Sequence, residues 1–393
     1  MLRCLAVTLL AQTGLTDHAA RRLGVSPFLP AVFVPRYAGL GGLSVEQLEA
    51  DLRGIRSFAD RDWCERWGAL AAEQEAQADR HEREGRAEAC TAALRAALAY
   101  HSAGAFPGTT PGRLRAYHQA RRVFERLLDR EDHRWEPMEI ETPEQPVAGL
   151  LSLPTHPGPH PLVIIINGLE GTTPETVVRL PASARDEFAV FAMEMPGTYA
   201  SPTPISPGSV AIFDSVIEAL AGHPAIDEQA IGLIGVSFSG YWAARLAATN
   251  RRLACVVSDG PPLLHSFSPL SAIGKPQIIL EALRHVTGTH NVIGLALASR
   301  ALAAELYGSY EQIRVPLLVV NGDRDSLCDV RDSVELAAGA PQGLLKLYAG
   351  AEHCAMERRA EAATFELDWM RGHLWSVQSH ERPARAVESL VSS

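Results

Sequence analysis

Ile231-Gly-Leu-Ile-Gly235-Val-Ser237-Phe-Ser239-Gly240-Tyr-Trp-Ala-Ala-Arg-Leu-Ala247 is the stretch whose reading decides the fold. An apolar, β-branched run ends in Gly-x-Ser and passes at once into an Ala/Leu pattern of helical period. Strand, sharp turn and helix together form a setting in which a serine can be held exposed on a strained turn. The residues two before and two after that serine must be small. Gly235 meets this need fully; Ser239 meets it in part, because glycine is usual there.

Two downstream segments supply partners. Val315-Pro-Leu-Leu-Val-Val-Asn321-Gly-Asp323-Arg-Asp325 reads as a buried strand ending in an acid-rich turn, and Leu344-Leu-Lys-Leu-Tyr348-Ala-Gly-Ala-Glu352-His353 as a short strand ending in a histidine-bearing loop. The order Ser, Asp, His, each after a predicted strand, is the order of α/β-hydrolases and differs from those of the chymotrypsin and subtilisin folds. In this reading Ser237 attacks a carbonyl carbon, His353 is the general base, and Asp325 fixes and stabilises the imidazole. Asp323 competes for the acid's place; Asp325 is preferred because a Gly-x-x-Asp turn presents its last residue to the histidine.

The 393 residues favour two domains over one. A hydrophobic content of 47% with 21% charged residues suits a globular protein with a sizeable core. The net charge of −10 disfavours nucleic acid or an anionic membrane as partner. Six cysteines without C-x-x-C spacing fit reduced thiols in the cytoplasm. The N-terminal Met-Leu-Arg-Cys-Leu-Ala-Val-Thr-Leu-Leu-Ala has no clear cleavage site and is read as an amphipathic or buried segment.

Residues 1–135 carry almost no strand pattern and are expected to form an all-helical cap domain. Ser44-Val-Glu-Gln47 resembles a capping box. Helical spacing follows over 67–83, 86–100 and 113–129, with a Gly/Pro-rich turn at 104–112. From 136 to 378 short apolar runs alternate with helical stretches, as a mostly parallel sheet covered on both faces requires. The expected strands lie at 138–142, 147–153, 162–166, 188–194, 231–236, 253–258, 315–320 and 344–348. A helix-like insertion at 261–310 is expected near the pocket, and 379–393 is expected to be a polar tail.

An oxyanion needs two pre-aimed N–H donors, and removing one typically costs ~3 kcal/mol of transition-state stabilisation. The Phe238 N–H, directly after the serine, is one candidate. The other is Leu169 in the loop Asn167-Gly-Leu-Glu170-Gly-Thr172. Glu170 stands beside that hole, either as a salt-bridge or capping residue or as a second acid/base or substrate-orienting group. Tyr100, His101, Phe106, Tyr199 and Trp242 are candidate pocket residues, each also readable as core packing. His156 and His160, in a Pro/Gly-rich loop, are expected to be exposed. No His-Glu-x-x-His or paired Cys/His spacing indicates a metal, and Gly39-Leu-Gly41-Gly42 lacks the form of a dinucleotide site. Cys354 is read as a small buried thiol.

Taken together, Asn167-Gly-Leu-Glu170, Met195-Pro-Gly197, Gly235-Val-Ser237, Gly322-Asp-Arg-Asp325, Glu352-His-Cys354 and the Ala-rich helix pair over 67–106 resemble one group of α/β-hydrolases. It joins a helical N-terminal cap to a Ser-Asp-His core and includes 2,6-dihydroxypseudooxynicotine hydrolase, fungal polyketide chain-shortening hydrolases and fermentation–respiration switch esterases. The resemblance covers most of 45–375. It implies hydrolysis of an ester, or of a C–C bond beside a ketone such as a β-diketone or aryl ketone, with Glu170 assisting. Two departures are Ser239 in the elbow and Thr198-Tyr199 after Pro196-Gly197.

The expectation is therefore a cofactor-independent serine hydrolase, acting on a small molecule and forming a homodimer. The alternatives are a cyclase or acyltransferase using the same three residues, and a non-catalytic binding protein that keeps the fold.

Overall fold

The computed structural model describes residues 10, 11, 13–130 and 134–379. The N-terminal apolar run up to residue 9 lies outside the described residues; of the polar tail expected over 379–393, Ser379 ends the last helix and the rest lies outside the described residues.

The first part of the chain is helical: α1 (Thr16–Leu23), α2 (Phe33–Gly41), α3 (Val45–Leu52), α4 (Asp60–Arg83), α5 (Ala87–Ala105) and α6 (Pro111–Leu128). Ser44 caps α3 by accepting from the Gln47 N–H at 3.1 Å. Gln47 does not complete a capping box; its amide donates to Asp51. α4 begins seven residues before the expected Trp67, because Trp63 turns inward with Trp67 against Phe33. Thr110 caps α6, and Asp60 accepts from the Thr110 hydroxyl and the Gly112 N–H, so α4 and α6 start from one shared knot.

The rest alternates strand and helix around one eight-stranded sheet, with strands β1 (Trp135–Ile140), β2 (Val147–Ser152), β3 (His160–Ile166), β4 (Ala189–Met193), β5 (Ile226–Val236), β6 (Leu253–Asp259), β7 (Leu317–Gly322) and β8 (Gly343–Tyr348). Their order is β1-β2-β4-β3-β5-β6-β7-β8; β1, β2 and β4 pair antiparallel, and the rest are parallel. Every residue of β3 and β4 is buried, which explains their unbroken apolar runs: both faces are covered. Phe213 and Trp242 pack on one face, Met370 and Leu374 on the other. A Cβ at Gly232 would lie 2.2 Å from the Met370 side chain, so glycine lets the C-terminal helix, Arg359–Ser379, close onto the sheet.

Each expected strand is present. The mostly parallel, doubly covered sheet has the α/β-hydrolase architecture. Its parallel strands end on one edge, where Ile166 pairs with Gly235 and Gly235 with Ser258. His160 departs from expectation: at the start of β3 it is 4% exposed, its backbone N–H tied to the Ala225 carbonyl. Burial lowers its pKa below the usual histidine value.

The 261–310 segment holds helices Gln277–Val286 and Val292–Ala304. Ile278 and Ile279 join the core of the helical part and bind the two regions together. Among the described residues no helix is long and apolar enough to cross a membrane.

Candidate active site

Ser237 occupies the turn between β5 and the helix Phe238–Thr249, with φ 54° and ψ −120°. Such a conformation is costly for a side chain bearing Cβ and survives only when the surroundings hold it. Here the Ser237 N–H donates to the Asp259 carbonyl at 2.6 Å. A Cβ at Gly235 would stand 2.2 Å from the Ser239 carbonyl oxygen, so no larger residue fits before the turn.

The loops after β7 and β8 bring the two partners. His353 Nε2 lies 2.7 Å from Ser237 Oγ, and His353 Nδ1 lies 2.7 Å from Asp325 Oδ2. The side chain of Asp325 is fully buried, and its second oxygen accepts from the Leu327 and Cys328 N–H groups, both at 2.8 Å. Asn321 donates to Asp325 at 2.9 Å and accepts from the Cys354 N–H at 3.0 Å, linking the two loops. Asp323 is engaged elsewhere, accepting from the Gly350 N–H.

Electrostatics match this chain of bonds. Burial alone would raise the Asp325 pKa, but the His353 charge and the hydrogen bonds hold it below the usual aspartate value. Burial would lower the His353 pKa; the Asp325 carboxylate outweighs it and holds the imidazole well above its ordinary range. A buried imidazole beside a buried carboxylate is suited to accept and hold a proton from the serine.

Among the described residues, Asp325, Cys328 and His353 also form the one group of potential metal-ligating atoms lying within 4.8 Å of one another. Two of these side chains are hydrogen-bonded to each other. Burial pushes the Cys328 thiol up, away from the thiolate a metal would need. Cys354 is buried, its thiol pushed up to about 12, again by burial.

A cavity of about 220 Å³ opens beside Ser237 and His353. Leu169, Phe238, Phe106, Phe267, Leu283 and Leu295 give it apolar walls. The loop after β3 comes close to the serine: a Cβ at Gly168 would lie 2.5 Å from the Ser237 Cβ. Phe238 begins a helix, so its N–H is one of those without an intrahelical acceptor.

Of the five candidate pocket residues, Phe106 alone lines this cavity. Tyr100 stacks on Trp67 and donates to Asp51 at 2.7 Å, while His101 bonds to Glu75. Tyr199 stacks on Tyr117 and donates to the Ala105 carbonyl; Trp242 packs in the core on Phe213 and Tyr241. Aromatic residues at helical spacing serve here as packing, since each faces a neighbouring element.

Glu170 also turns away from the cavity. At φ 55° its carboxylate runs into the contact between the helical part and the sheet, where Oε2 accepts from the Gly108 N–H at 3.0 Å. Burial, with a lesser push from Glu194, drives its pKa up to about 7, against the Gly108, Tyr199 and Arg36 contacts. Arg36, which no sequence signal singled out, forks onto Glu175 through two bonds of 2.8 Å and donates to the Glu170 carbonyl. It thereby holds the loop that carries Leu169.

The family of proteins described as Esterase FrsA-like matches residues 48–329. The chain belongs to the FrsA-like esterase family. Among curated relatives, Esterase FrsA of Vibrio cholerae is 27% identical over 308 residues, covering 74% of this chain and 71% of that protein. A 2,6-dihydropseudooxynicotine hydrolase of Paenarthrobacter nicotinovorans is 26% identical over 241 residues, 57% of this chain and 61% of that one. The crystal structure of the 2,6-dihydroxy-pseudo-oxynicotine hydrolase superposes with TM-score 0.71 at 22% identity, covering 90% of this chain and 99% of that one. AbyA5 superposes with TM-score 0.67 at 21% identity, covering 86% and 98%. This FrsA-like protein is an α/β-hydrolase enzyme.

Proposed function

We propose that this FrsA-like hydrolase cleaves a carboxylic ester through an acyl-enzyme on Ser237. The observation that carries the reading is the unbroken chain from Ser237 through His353 to Asp325, with both links at 2.7 Å. His353 takes the Ser237 proton as Oγ attacks the carbonyl carbon, and Asp325 stabilises the imidazolium. The N–H groups of Phe238 and Leu169 hold the developing oxyanion. His353 then protonates the leaving alcohol, and a water, activated by the same imidazole, releases the acid.

The helices α1 to α6 act in this reading as the cap expected over 1–135, since Phe33, Arg36 and Phe106 contribute to the cavity wall. A mostly apolar cavity strengthens the polar contacts made to the oxyanion.

A second reading is C–C cleavage beside a ketone, in which the leaving carbanion is released as an enol or phenol. One observation favours it: Glu170, two residues from the end of the loop bearing Leu169, has a pKa of about 7 and a buried Oε1 without a hydrogen-bond partner. The test compares p-nitrophenyl butyrate with benzoylacetone for wild type, Ser237→Ala and Glu170→Gln. Ester hydrolysis that vanishes in Ser237→Ala supports the first reading; ester hydrolysis that persists there contradicts it. Ketone cleavage lost selectively in Glu170→Gln supports the second.

A further inference from the structure

Four cationic side chains line the cavity beside Ser237: Arg36, Arg179, Lys275 and Arg359. Three are matched within the fold. Arg36 forks onto Glu175, Arg179 lies 3.9 Å from the same carboxylate, and Arg359 bonds to Asp259 and Glu366. Lys275 is different. Its ammonium donates to the Ser271 carbonyl at 2.9 Å, and among the described residues no carboxylate pairs with it. An ammonium has three donors, so two remain to be used.

Of the groups that influence it most, Cys328 is kept a neutral thiol by burial, and Asp325, Asp332 and Asp329 are committed elsewhere. Asp325 holds His353 and Asn321. Asp332 accepts from the backbone N–H groups of Leu263, His265 and Ser266, and Asp329 is paired with Arg331. Lys275 thus stands near the acid end of the Ser237–His353–Asp325 chain, on a wall that mixes Ser266, Ser268 and Ser271 with apolar side chains such as Ile279, Leu280 and Leu283. Burial works against its charge. A cation kept in an apolar cavity with spare donors is costly unless a ligand supplies the missing anion.

We propose that Lys275 binds a carboxylate carried by the substrate, so that the enzyme's substrates are acyl compounds bearing a second, ionised carboxylate away from the scissile carbonyl. This inference rests on the reading that Ser237 attacks that carbonyl. The carboxylate accepts the free Lys275 donors and orients the acyl chain along the apolar wall. No bond is made or broken at the lysine.

The test is a matched pair of esters, p-nitrophenyl hexanoate and mono-p-nitrophenyl adipate, which differ by a terminal methyl against a carboxylate. The quantity read is the ratio of kcat/KM for adipate to that for hexanoate. It should be about 10 or more in wild type and fall at least tenfold in Lys275→Met, the effect of one charge-assisted hydrogen bond. Lys275→Arg, which keeps the charge, should retain most of the preference. A lysine that merely balances the neighbouring acids would slow both esters together. An unchanged ratio in Lys275→Met, or a wild-type ratio of about 1 or below, overturns the assignment.

Binding provides a readout that needs no turnover. Free adipate should raise the melting temperature of wild type more than uncharged hexanamide does, and this advantage should vanish in Lys275→Met and Lys275→Gln; equal effects of the two compounds on wild type overturn the proposal. If hexanoate is turned over with no need for Ser237, the hydrolase reading fails while the binding comparison still judges Lys275.

Discussion

The Ser239 hydroxyl donates a hydrogen bond to the main-chain carbonyl of Asn167, joining the helix that follows Ser237 to the loop after β3. The same asparagine receives the Thr176 hydroxyl on its side-chain oxygen and donates its N–H to the Met193 carbonyl at 3.2 Å. The loop carrying Leu169 is therefore fixed at its root. Serine in place of the usual elbow glycine has a use: it ties the two proposed oxyanion donors together. Ser239→Ala should leave the buried carbonyl unpaired, at a cost of about 1–3 kcal/mol. We expect kcat for ester hydrolysis to drop roughly tenfold, a change of about 1.4 kcal/mol in the barrier, with a smaller change in KM. Ser239→Gly should behave alike, since the hydroxyl and not the side-chain size is what acts. Steady-state kinetics at wild-type kcat would contradict this account of Ser239.

Gly168 makes a sharper demand. A Cβ there would stand 2.5 Å from the Ser237 Cβ and 2.8 Å from the Val236 carbonyl oxygen. Neither can retreat, because both belong to the strained turn. Gly168→Ala should push the loop from the serine and misplace the Leu169 N–H. Loss of one oxyanion donor lowers kcat by ~100- to 1,000-fold. The melting temperature, measured by circular dichroism, should fall far less than complete unfolding would require.

The pH profile follows from the Asp325–His353 pair. His353 must be neutral to act as base, and burial alone would lower its pKa. The Asp325 carboxylate outweighs burial and raises it well above the ordinary value. Activity should therefore rise with pH along a limb centred above the usual histidine value of about 6.5. Measuring kcat/KM against pH decides this; a limb at or below that value would contradict the coupling.

Glu170 yields a stability prediction with a definite sign. Its carboxyl has an ordinary value of 4.5 and is pushed up to about 7, mainly by burial. Between those values the folded protein binds the proton that the unfolded chain has released, so stability falls as pH rises and levels off above pH 7. The full effect is on the order of 3 kcal/mol. Glu170→Gln removes the titration. Its melting temperature relative to wild type should be higher at pH 8 than at pH 5. A difference independent of pH would show that Glu170 is not held protonated.

Much of the fold could be read directly from the chain, for a physical reason. Buried parallel strands need apolar side chains on both faces, so β3, β4, β6, β7 and residues 231–236 of β5 stand out as short apolar runs between helical patterns, whereas the polar start of β5, from Ile226, does not. Ser237 and Asp325 are legible because each follows such a run, and His353 because it follows the short, partly exposed strand β8. The cavity wall was not. Whether an aromatic residue faces a pocket or a neighbouring helix depends on packing between distant segments. Tyr100 and Trp242 both have the composition of pocket residues and the surroundings of core. Glu170 was identified by its motif, but its direction is set by Gly108, 62 residues away. Arg36 and Glu175, 139 residues apart, carry no local signal of their fork. The early helices Thr16–Leu23 and Phe33–Gly41 likewise lack the long periodicity that revealed later ones.

The central claim is that Ser237 is the nucleophile, activated by His353. A fluorophosphonate probe followed by intact-mass measurement tests it most directly. Wild type should gain the mass of one phosphonyl group, mapped by peptide digestion to Ser237, and both Ser237→Ala and His353→Ala should label far more slowly or not at all. Equal labelling of wild type and Ser237→Ala, or a wild-type adduct on another residue, would contradict the account.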